Sequence, residues 1–472
     1  MSTTRKIAHN TMIQLGGKVI STVFGLLAIA MMTRYLGQEQ FGWYITTISF
    51  LGSIGILIDF GLTPVSAQML SEPDIDHNRL LKNLLGYRLV TAVIFLGIAP
   101  LIALSFPYPY EVKVAIAFST ISFLATALNQ VLVGYYQTKL KMHIQVLGEV
   151  AGRIVLVSGL WFFITNGYGF LPIMGVLVAS SVSYTTVLWY VAKKSVPIGF
   201  DWDMAVWKRI THTMWPIALS IIFNVVYLKG DTILLSLFRP QTDVGIYGAA
   251  YRVIDILTQT AMMLMGVMLP LLAYHWTRKD TEHFRKFYQQ SFDLLMLVAI
   301  PMTVGILILA EPIIVFVAGA EFASAAVPLR ILALAILGVY AGAIAGHTIV
   351  AIGKQRQTVW IFLSAAILTL IGYLYTIPLY GMFGAAWMTV ASEVYVGALL
   401  FLSIQRYTQI RLTLNTFAKI CFSAFVMGAV VLQLPPMHVT IQSLIGVFAY
   451  FFFIVALRVV SPQTIRTILS RS

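Results

Sequence analysis

The stretch RYLGQEQFGWYITTISF (Arg34–Phe50) returns 203 residues later as LFRPQTDVGIYGAAYRV (Leu237–Val253), and each copy lies between two long apolar runs. The residues that coincide are Gln38, Gly42 and Tyr44 in the first copy and Gln241, Gly245 and Tyr247 in the second. The basic turn at 133–145 returns at 350–362, and the glycine-containing turn at 166–169 returns at 380–384. This order predicts six membrane helices followed by six equivalent helices in the same orientation.

The composition agrees with many membrane spans. The chain has 472 residues, of which 59% are hydrophobic and 10% are charged, whereas a soluble domain carries about 25% charged residues. About fourteen apolar runs, each long enough to cross a hydrocarbon core of about 30 Å, follow one another along the chain. They lack the alternating pattern of barrel strands, which predicts an all-α polytopic membrane protein.

The basic residues predict the orientation of these helices. Of the 31 Lys and Arg residues, 23 fall on one set of alternating inter-helix segments and three fall on the other set. Since cytoplasmic loops are enriched in Lys and Arg, we expect both termini in the cytoplasm. The net charge of +13 then faces anionic membrane lipids, and nucleic acid is not needed as a partner.

The repeat predicts the domain organisation. We expect an N-terminal lobe of six helices at 1–194, a cytoplasmic linker at 195–208, a C-terminal lobe of six helices at 209–408 and two additional helices at 409–472. The linker segment WDMAVW (Trp202–Trp207) is expected to form a short helix at the membrane interface. Parallel repeats of this kind are typical of transporters, although a duplication that only enlarges a scaffold remains the alternative.

Several segments carry a family resemblance in addition to the repeated turn. They are IDFGL (Ile58–Leu62), WPIALSIIFNVVYLKGDTILLSLF (Trp215–Phe238) and AIPMTVGILILAEPIIVFVAGAEF (Ala299–Phe322). In this order the chain resembles the polysaccharide-transporter branch of the MOP exporter superfamily, the Wzx-type flippases. The likeness covers the first twelve predicted helices.

The resemblance implies a fold and a function. It implies two lobes in a V-shaped arrangement around a polar cavity. It also implies a cargo, an oligosaccharide on undecaprenyl pyrophosphate, such as an O-antigen repeat unit of lipopolysaccharide biosynthesis or an exopolysaccharide repeat unit. The cargo would move from the cytoplasmic to the outer leaflet of a bacterial inner membrane by alternating access. A glycan polymerase and chain-length machinery are the partners it suggests.

Polar stripes in two of the predicted helices fit such a cavity. The first predicted helix carries Asn10, Gln14, Lys18, Ser21 and Gly25 on one face, and the seventh carries Ser220, Asn224, Tyr227 and Asp231. Polar groups that faced lipid would have no hydrogen-bond partners, so both stripes are expected to face protein or water. Two explanations of the stripes remain: hydrogen bonding between helices, and a polar cavity that both stripes line.

Cations inside the spans are candidate ligands for the pyrophosphate of such a cargo. Lys18 is the strongest, because no acidic residue lies three or four positions away on its helix. Arg153 lies four positions after Glu149, which favours a structural pair within one helix, beside a close-packing Gly148 and Gly152. Arg88 is expected to extend to the lipid headgroups.

Four charged residues in the seventh and eighth predicted helices form a further candidate group, here called the charged quartet. Folding the seventh and eighth helices about the turn near Pro240 predicts that Lys229, Asp231, Arg252 and Asp255 lie at one depth. They form either a neutral brace or, with one acid protonated, a phosphate-binding and gating group. The buried acids Asp59 and Glu393 extend the set of coupling candidates, and a salt bridge is the alternative for Asp59. Coupling to H⁺ or Na⁺ is left open, with no other cofactor and no metal.

The sequence also bears on three alternative functions: an enzyme, a multidrug or cation antiporter, and a lipid II-type flippase. No P-loop, HExxH or GxSxG motif is present, which argues against an enzyme. A multidrug or cation antiporter of the same superfamily should have an acidic cavity, whereas the first helix contributes Lys18 and no acid. A lipid II-type peptidoglycan precursor flippase would share the basic cavity and remains the alternative.

Overall fold

The computed structural model describes residues 3–70, 76–194 and 198–459, without the side chains of 3–12, 15, 64, 67–68 and 215–228. Within these ranges the regular structure consists of thirteen α-helices and one 3₁₀ turn, with no strand. Eleven of the described helices are long and apolar enough to cross a membrane. The expectation of an all-α polytopic membrane protein is therefore confirmed.

The chain forms two compact units, at 1–245 and at 246–472. Eight of the described helices begin in the first unit, and the last of them continues into the second. They are α1 (Thr3–Asp59), α2 (Leu62–Met69), α3 (His77–Leu104), α4 (Tyr110–Thr138), α5 (Met142–Thr165), α6 (Phe170–Lys193), α7 (Met204–Phe238) and α8 (Gln241–Thr277). Those that lie wholly in the second unit are α9 (Thr281–Ala318), α10 (Ala326–Ala351), α11 (Gln355–Thr408), α12 (Asn415–Gln433) and α13 (Val439–Ala456). The lobe boundaries expected from the repeat stay a prediction.

Two long helices each contain two of the predicted spans. In α1 the helical geometry is interrupted at Gly37 (φ 66°, ψ −176°), and in α11 it is interrupted at Gly381 (φ 58°, ψ −137°). Glycine adopts such positive φ values without the steric penalty of a side chain. The turns of the sequence repeat at these two places are therefore sharp changes of direction between consecutive helices.

The prediction of a separate short helix in the linker is wrong. Residues 201–203 are not helical, and Asp203 caps α7 by accepting hydrogen bonds from the backbone N–H groups of Ala205 (3.0 Å) and Val206 (3.4 Å). Aspartate is among the preferred residues at this capping position. The segment from Met204 onward is the first part of the 35-residue helix α7, which continues to Phe238.

The apolar core of the first unit lies in two clusters. One joins α2, α3 and α4 around Leu62, Leu84 and Tyr136, with Trp207 of α7 packed against it. The other includes Leu51 of α1 and Val112 of α4. These contacts place the polar residues of α1 and α3 at helix–helix boundaries.

The repeated turns meet each other within the first unit. A side chain added at Gly42 would overlap the backbone carbonyl oxygen of Gln241, and one added at Gly245 would overlap that of Gln38. The two copies thus exchange the same contact, glycine against the carbonyl four positions before the partner glycine. The Thr46 hydroxyl also donates a hydrogen bond to the Gln241 side-chain oxygen (2.6 Å). Close backbone packing explains why the short motif occurs twice.

Replacing either glycine tests this contact. Gly42→Ala and Gly245→Ala should each lower the free energy of unfolding by about 1–3 kcal/mol, because the backbones must separate to admit a methyl group. Thermal unfolding of the purified protein in detergent measures the change. Gly52→Ala is the matched control in α1, since nothing lies within 4 Å of the added carbon, and it should be neutral or stabilising. Equal melting temperatures for all three variants would contradict the contact.

Candidate functional site

Ser21 is the centre of a polar contact between α1 and α5. Its side chain is buried, its hydroxyl donates to Glu149 Oε1, and Arg153 Nε donates to the same hydroxyl oxygen at 3.1 Å. Glu149 and Arg153 are therefore joined across the helix boundary through a serine of the neighbouring helix. The described contacts of Ser21 and Arg153 are thus hydrogen bonds between helices, and a cavity role for either residue stays a prediction.

The glycines around this contact allow the helices to approach. Gly25 of α1 lies beside the Arg153 guanidinium. A Cβ added at Gly25 would be 3.7 Å from Arg153 Nη1. On the other side of α5, added carbons at Gly148 and Gly152 would meet Tyr184 of α6 and the backbone of Ser180 at less than 3 Å. The predicted close packing at Gly148 and Gly152 is confirmed. Arg153 and Glu149 are consequently held in place by packing on both sides of α5.

Lys18 differs from Ser21 although both belong to the predicted stripe. Its side chain is exposed, between the buried Gly17 and the exposed Val19. Among the described side chains, none forms a hydrogen bond or an ion pair with its ammonium group. Gln14, one turn earlier, is half-buried. The structure thus presents a cation inside a membrane helix, on a surface that the described protein groups do not neutralise.

The second stripe is described only at its end. Asn10 of α1 and Ser220, Asn224 and Tyr227 of α7 have side chains outside the described residues. Asp231 is buried and accepts hydrogen bonds from the backbone N–H (2.6 Å) and the hydroxyl (3.2 Å) of Thr232. Lys229 is half-buried and, like Asp231, has further interactions.

The charged quartet is divided between the two units. Lys229 and Asp231 belong to the first unit, and Arg252 and Asp255 belong to the second. Within the second unit Arg252 Nη1 lies 3.6 Å from Asp255 Oδ2, and the two residues are three positions apart on α8. Each of the two side chains is about 30% exposed. The quartet as a whole stays a prediction.

Asp59 forms an ion pair that the sequence analysis left open. Arg88 is completely buried and donates to Asp59 Oδ1 (2.6 Å), to the Ile58 carbonyl (3.1 Å) and to the Thr63 hydroxyl (3.2 Å). The expectation that Arg88 extends to the headgroups is wrong. Because α1 ends at Asp59, carbonyl groups of its last turn lack helical partners, and the guanidinium satisfies one of them together with the carboxylate.

Glu393 lies where α11 meets α10. A carbon added at Gly338 would approach the Glu393 Cβ at 2.7 Å, so the glutamate stem packs directly on the glycine. The side chain is half-buried and has further interactions. Its role as a cation ligand stays a prediction.

A set of contacts that the sequence did not predict, here called the clasp, holds the linker against α3. The Asp203 backbone N–H donates to the Asn83 side chain (2.8 Å), the Asp201 N–H donates to the Lys82 carbonyl (3.2 Å), and Arg79 forms an ion pair with Asp203. The hydrogen bond from Arg79, followed by the capping bonds, holds the pKa of Asp203 below its ordinary value.

A cavity of about 350 Å³ lies beside this clasp, with Asp76, Arg79 and Arg209 among its lining residues. The acidic residues on both sides of Trp202 were the available signal for the clasp, because aspartate commonly caps a helix or binds a nearby arginine.

These features define a class of protein: an all-α multi-pass membrane protein with charged and polar groups inside its spans. The model of the polysaccharide biosynthesis protein family matches residues 7–276, more than half of the chain, and the chain belongs to that family. The MatE family model matches residues 216–376. The resemblance to the MOP superfamily is confirmed.

Two relatives and two solved structures illustrate the similarity. The chain is 24% identical to the probable low-salt glycan biosynthesis flippase Agl15 of Haloferax volcanii, over 92% of each chain. It is 22% identical to the capsular polysaccharide biosynthesis protein CapF of Staphylococcus aureus, over 55% of this chain and 66% of that protein.

Its fold matches the lipid II flippase MurJ with a TM-score of 0.77 at 15% identity, over 94% of this chain and 98% of MurJ. An inward-facing multidrug resistance MATE transporter of the MOP superfamily matches with a TM-score of 0.65 at 14% identity, over 82% and 94%.

Removing one partner of the buried ion pair tests its structural role. Asp59→Ala should lower the free energy of unfolding by about 3–5 kcal/mol, because the buried Arg88 guanidinium loses its anion. The double variant Asp59→Ala/Arg88→Met should recover part of that loss in the same thermal measurement. Asp243→Ala is the control, since the Arg239–Asp243 pair is long (3.9 Å) and partly exposed, and it should cost less than about 1 kcal/mol. A loss no larger than the control would mean that Asp59 is not part of a brace.

Proposed function

We propose that this protein is a flippase that moves a lipid-linked glycan between the two leaflets of its membrane. The observation that carries the proposal is the similarity to the glycan flippase Agl15 over 92% of both chains, combined with the match to the polysaccharide biosynthesis family. A glycan bound to a lipid cannot cross the hydrocarbon core unaided, because its hydroxyl groups would lose their hydrogen bonds to water. The spans of this protein offer polar groups in their place.

The finer proposal concerns the cargo. An undecaprenyl pyrophosphate carries negative charge at the junction of lipid and sugar, and Lys18 is the cation best placed to bind it. Its ammonium is exposed and has no anionic partner among the described side chains. Arg153 lies one helix away, and its Nε is directed to Ser21. O-antigen or exopolysaccharide repeat units, moved outward across a bacterial inner membrane, are the cargo that we favour.

The transport cycle that we propose uses the polar residues that the sequence marks in the first and seventh predicted helices. The pyrophosphate binds near Lys18, and the sugars contact Asn10, Gln14, Asn224 and Tyr227, whose amide and hydroxyl groups match sugar hydroxyls. The lipid tail remains in the bilayer throughout. Alternating access then exposes the headgroup to the opposite side, where a glycan polymerase and chain-length machinery would take the product. No bond is made or broken in this cycle, and we therefore regard the protein as a transporter.

Replacing Lys18 tests the cargo site. In a host strain that lacks its own surface-glycan flippase, Lys18→Ala should reduce glycan display at least tenfold while the amount of protein in the membrane stays normal. A tenfold change corresponds to about 1.4 kcal/mol, less than a charged hydrogen bond to a phosphate contributes. Lys18→Arg should retain most of the display, because it preserves the charge. Lys139→Ala, an exposed lysine after α4, is the control.

The same host experiment separates the alternative cargoes. Normal glycan display in the Lys18→Ala strain would remove Lys18 from the site. Rescue of peptidoglycan precursor export in place of glycan display would assign the protein to the lipid II-type flippases. Rescue of drug resistance alone would assign it to the multidrug antiporters.

Ion coupling is a separate proposal that rests on the acidic residues. Asp231 is buried within the first unit, and Asp255 and Glu393 are half-buried within the second. If a proton or sodium ion neutralises one of them during transport, collapse of that gradient alone should slow transport at a fixed amount of glycan lipid. The measurement is the transport rate in membrane vesicles with each gradient collapsed separately. A rate that responds to neither gradient would contradict coupling.

A further inference from the structure

A group of three metal-ligating side chains lies at the connection between α8 and α9. Nδ1 of His275 lies 3.0 Å from Asp280 Oδ2, and Nδ1 of His283 lies 3.0 Å from both oxygens of the same carboxylate. One ligand atom from each of the three residues lies within 4.8 Å of the other two. In a tetrahedral zinc site with bonds of about 2.0–2.1 Å, ligand atoms are separated by roughly 3.3 Å. The two histidine–aspartate separations of 3.0 Å are near this value, and the two histidines offer nitrogen atoms within 4.8 Å of each other.

The backbone holds two of these residues together independently of their side chains. The Asp280 N–H donates to the His275 carbonyl (3.0 Å) and the Lys279 N–H donates to the Trp276 carbonyl (3.0 Å). With Lys279 at a φ of 57°, this is the Schellman pattern that ends many helices. The pattern joins His275 and Asp280 across the turn, so a ligand set is assembled before any ion binds.

The third residue is fixed by the start of α9. Asp280 caps this helix by accepting a hydrogen bond from the His283 backbone N–H (3.2 Å). The cap places the His283 side chain on the same side of the turn as His275, and the two imidazole rings stack with an angle of 15° and a centroid distance of 5.2 Å. His275 also stacks on Phe287 (5.1 Å). Rings that are held by stacking lose little further freedom when they bind an ion.

The charge of the group suits a divalent cation. The Asp280 carboxylate accepts a hydrogen bond from the His283 backbone N–H (3.2 Å) and lies 3.0 Å from Nδ1 of both histidines, so it offers an anionic oxygen ligand beside two imidazoles. Of the neighbouring cations, the Arg278 guanidinium lies over the Tyr274 ring at 4.1 Å, and the Lys279 side chain is exposed to solvent. Two imidazoles and one carboxylate are a ligand set that favours zinc and related transition metals over calcium or magnesium.

We propose that His275, Asp280 and His283 bind one divalent transition-metal ion, zinc in the first place, and that the ion cross-links the end of α8 to the start of α9. Without the ion, Nδ1 of each histidine donates its proton in a hydrogen bond to the Asp280 carboxylate; on binding, this proton leaves Nδ1 and each neutral imidazole carries its proton on Nε2. Three protein ligands leave one tetrahedral position for water or another small ligand. The site lies within the second unit and is separate from the cargo site, so it does not depend on the proposed function.

Titration of the intact protein with zinc tests the proposal. Isothermal titration of purified protein in detergent, with any polyhistidine tag removed, should show one zinc bound per chain. His283→Ala and Asp280→Asn should each weaken binding by more than the roughly tenfold that loss of a supporting hydrogen bond to a ligand costs. Asparagine keeps the cap of α9 but is a poor zinc ligand, so this variant separates metal binding from folding. His143→Ala removes an exposed histidine elsewhere and should bind as the wild type does.

A protease provides a second readout at the same turn. Arg278 and Lys279 are exposed, and trypsin cleaves after both, so zinc should slow cleavage there by closing the turn. Cleavage after the exposed Lys139 and Lys141, in the turn between α4 and α5, should be unchanged. In His283→Ala, zinc should give no protection at the α8–α9 turn. Absence of saturable zinc binding, or equal binding and protection in wild type and both ligand variants, would overturn the proposal.

Discussion

The structure depends on one constraint: a polar group inside the hydrocarbon core needs a partner within the protein. Arg88 meets the constraint at the end of α1, where it binds Asp59 and a free backbone carbonyl. Arg153 meets it through Ser21 of the neighbouring helix. In both cases the charge lies at a boundary between helices, so the same bonds that satisfy the group also fix how the helices pack. Lys18 departs from this rule among the described residues, and for that reason it is the residue that we propose for cargo binding.

The repeated turn meets a second constraint, which is steric. At Gly42 and Gly245 two backbones approach so closely that no side chain fits. Each glycine lies against the carbonyl of the glutamine that precedes the other, so a single short motif supplies both sides of the contact. The repeat is therefore more than a trace of duplication, because the two copies bind to each other through the residues that they share.

Much of this architecture could be predicted from the sequence because it depends on periodic, local signals. Apolar length located the spans, and small residues at a spacing of four predicted close packing at Gly148 and Gly152, for which the structure supplies α6 as the partner. At α10 glycines recur at the same spacing, yet only Gly338 packs closely on a neighbour, whereas Gly342 and Gly346 have no neighbour within 4 Å of an added carbon. Helical spacing alone does not identify which side of a helix faces a neighbour.

The misses concern contacts between residues far apart in the chain. Arg88 looked like a headgroup ligand because the sequence does not show that α1 ends beside it. The polar stripe of α1 was treated as one surface, although Ser21 faces α5 and Lys18 is exposed. The group formed by His275, Asp280 and His283 is local, and its spacing of five and three residues across a helix end was the available signal.

The central claim is that the protein itself carries a glycan lipid across a bilayer. The most direct measurement reconstitutes the purified protein into lipid vesicles that contain a fluorescent polyprenyl-pyrophosphate oligosaccharide in both leaflets. A glycosidase that cannot cross the membrane then digests the exposed headgroups. The account predicts that vesicles with the protein lose the inner pool as well, whereas empty vesicles retain it. An inner pool that stays protected equally in both kinds of vesicle would contradict the claim.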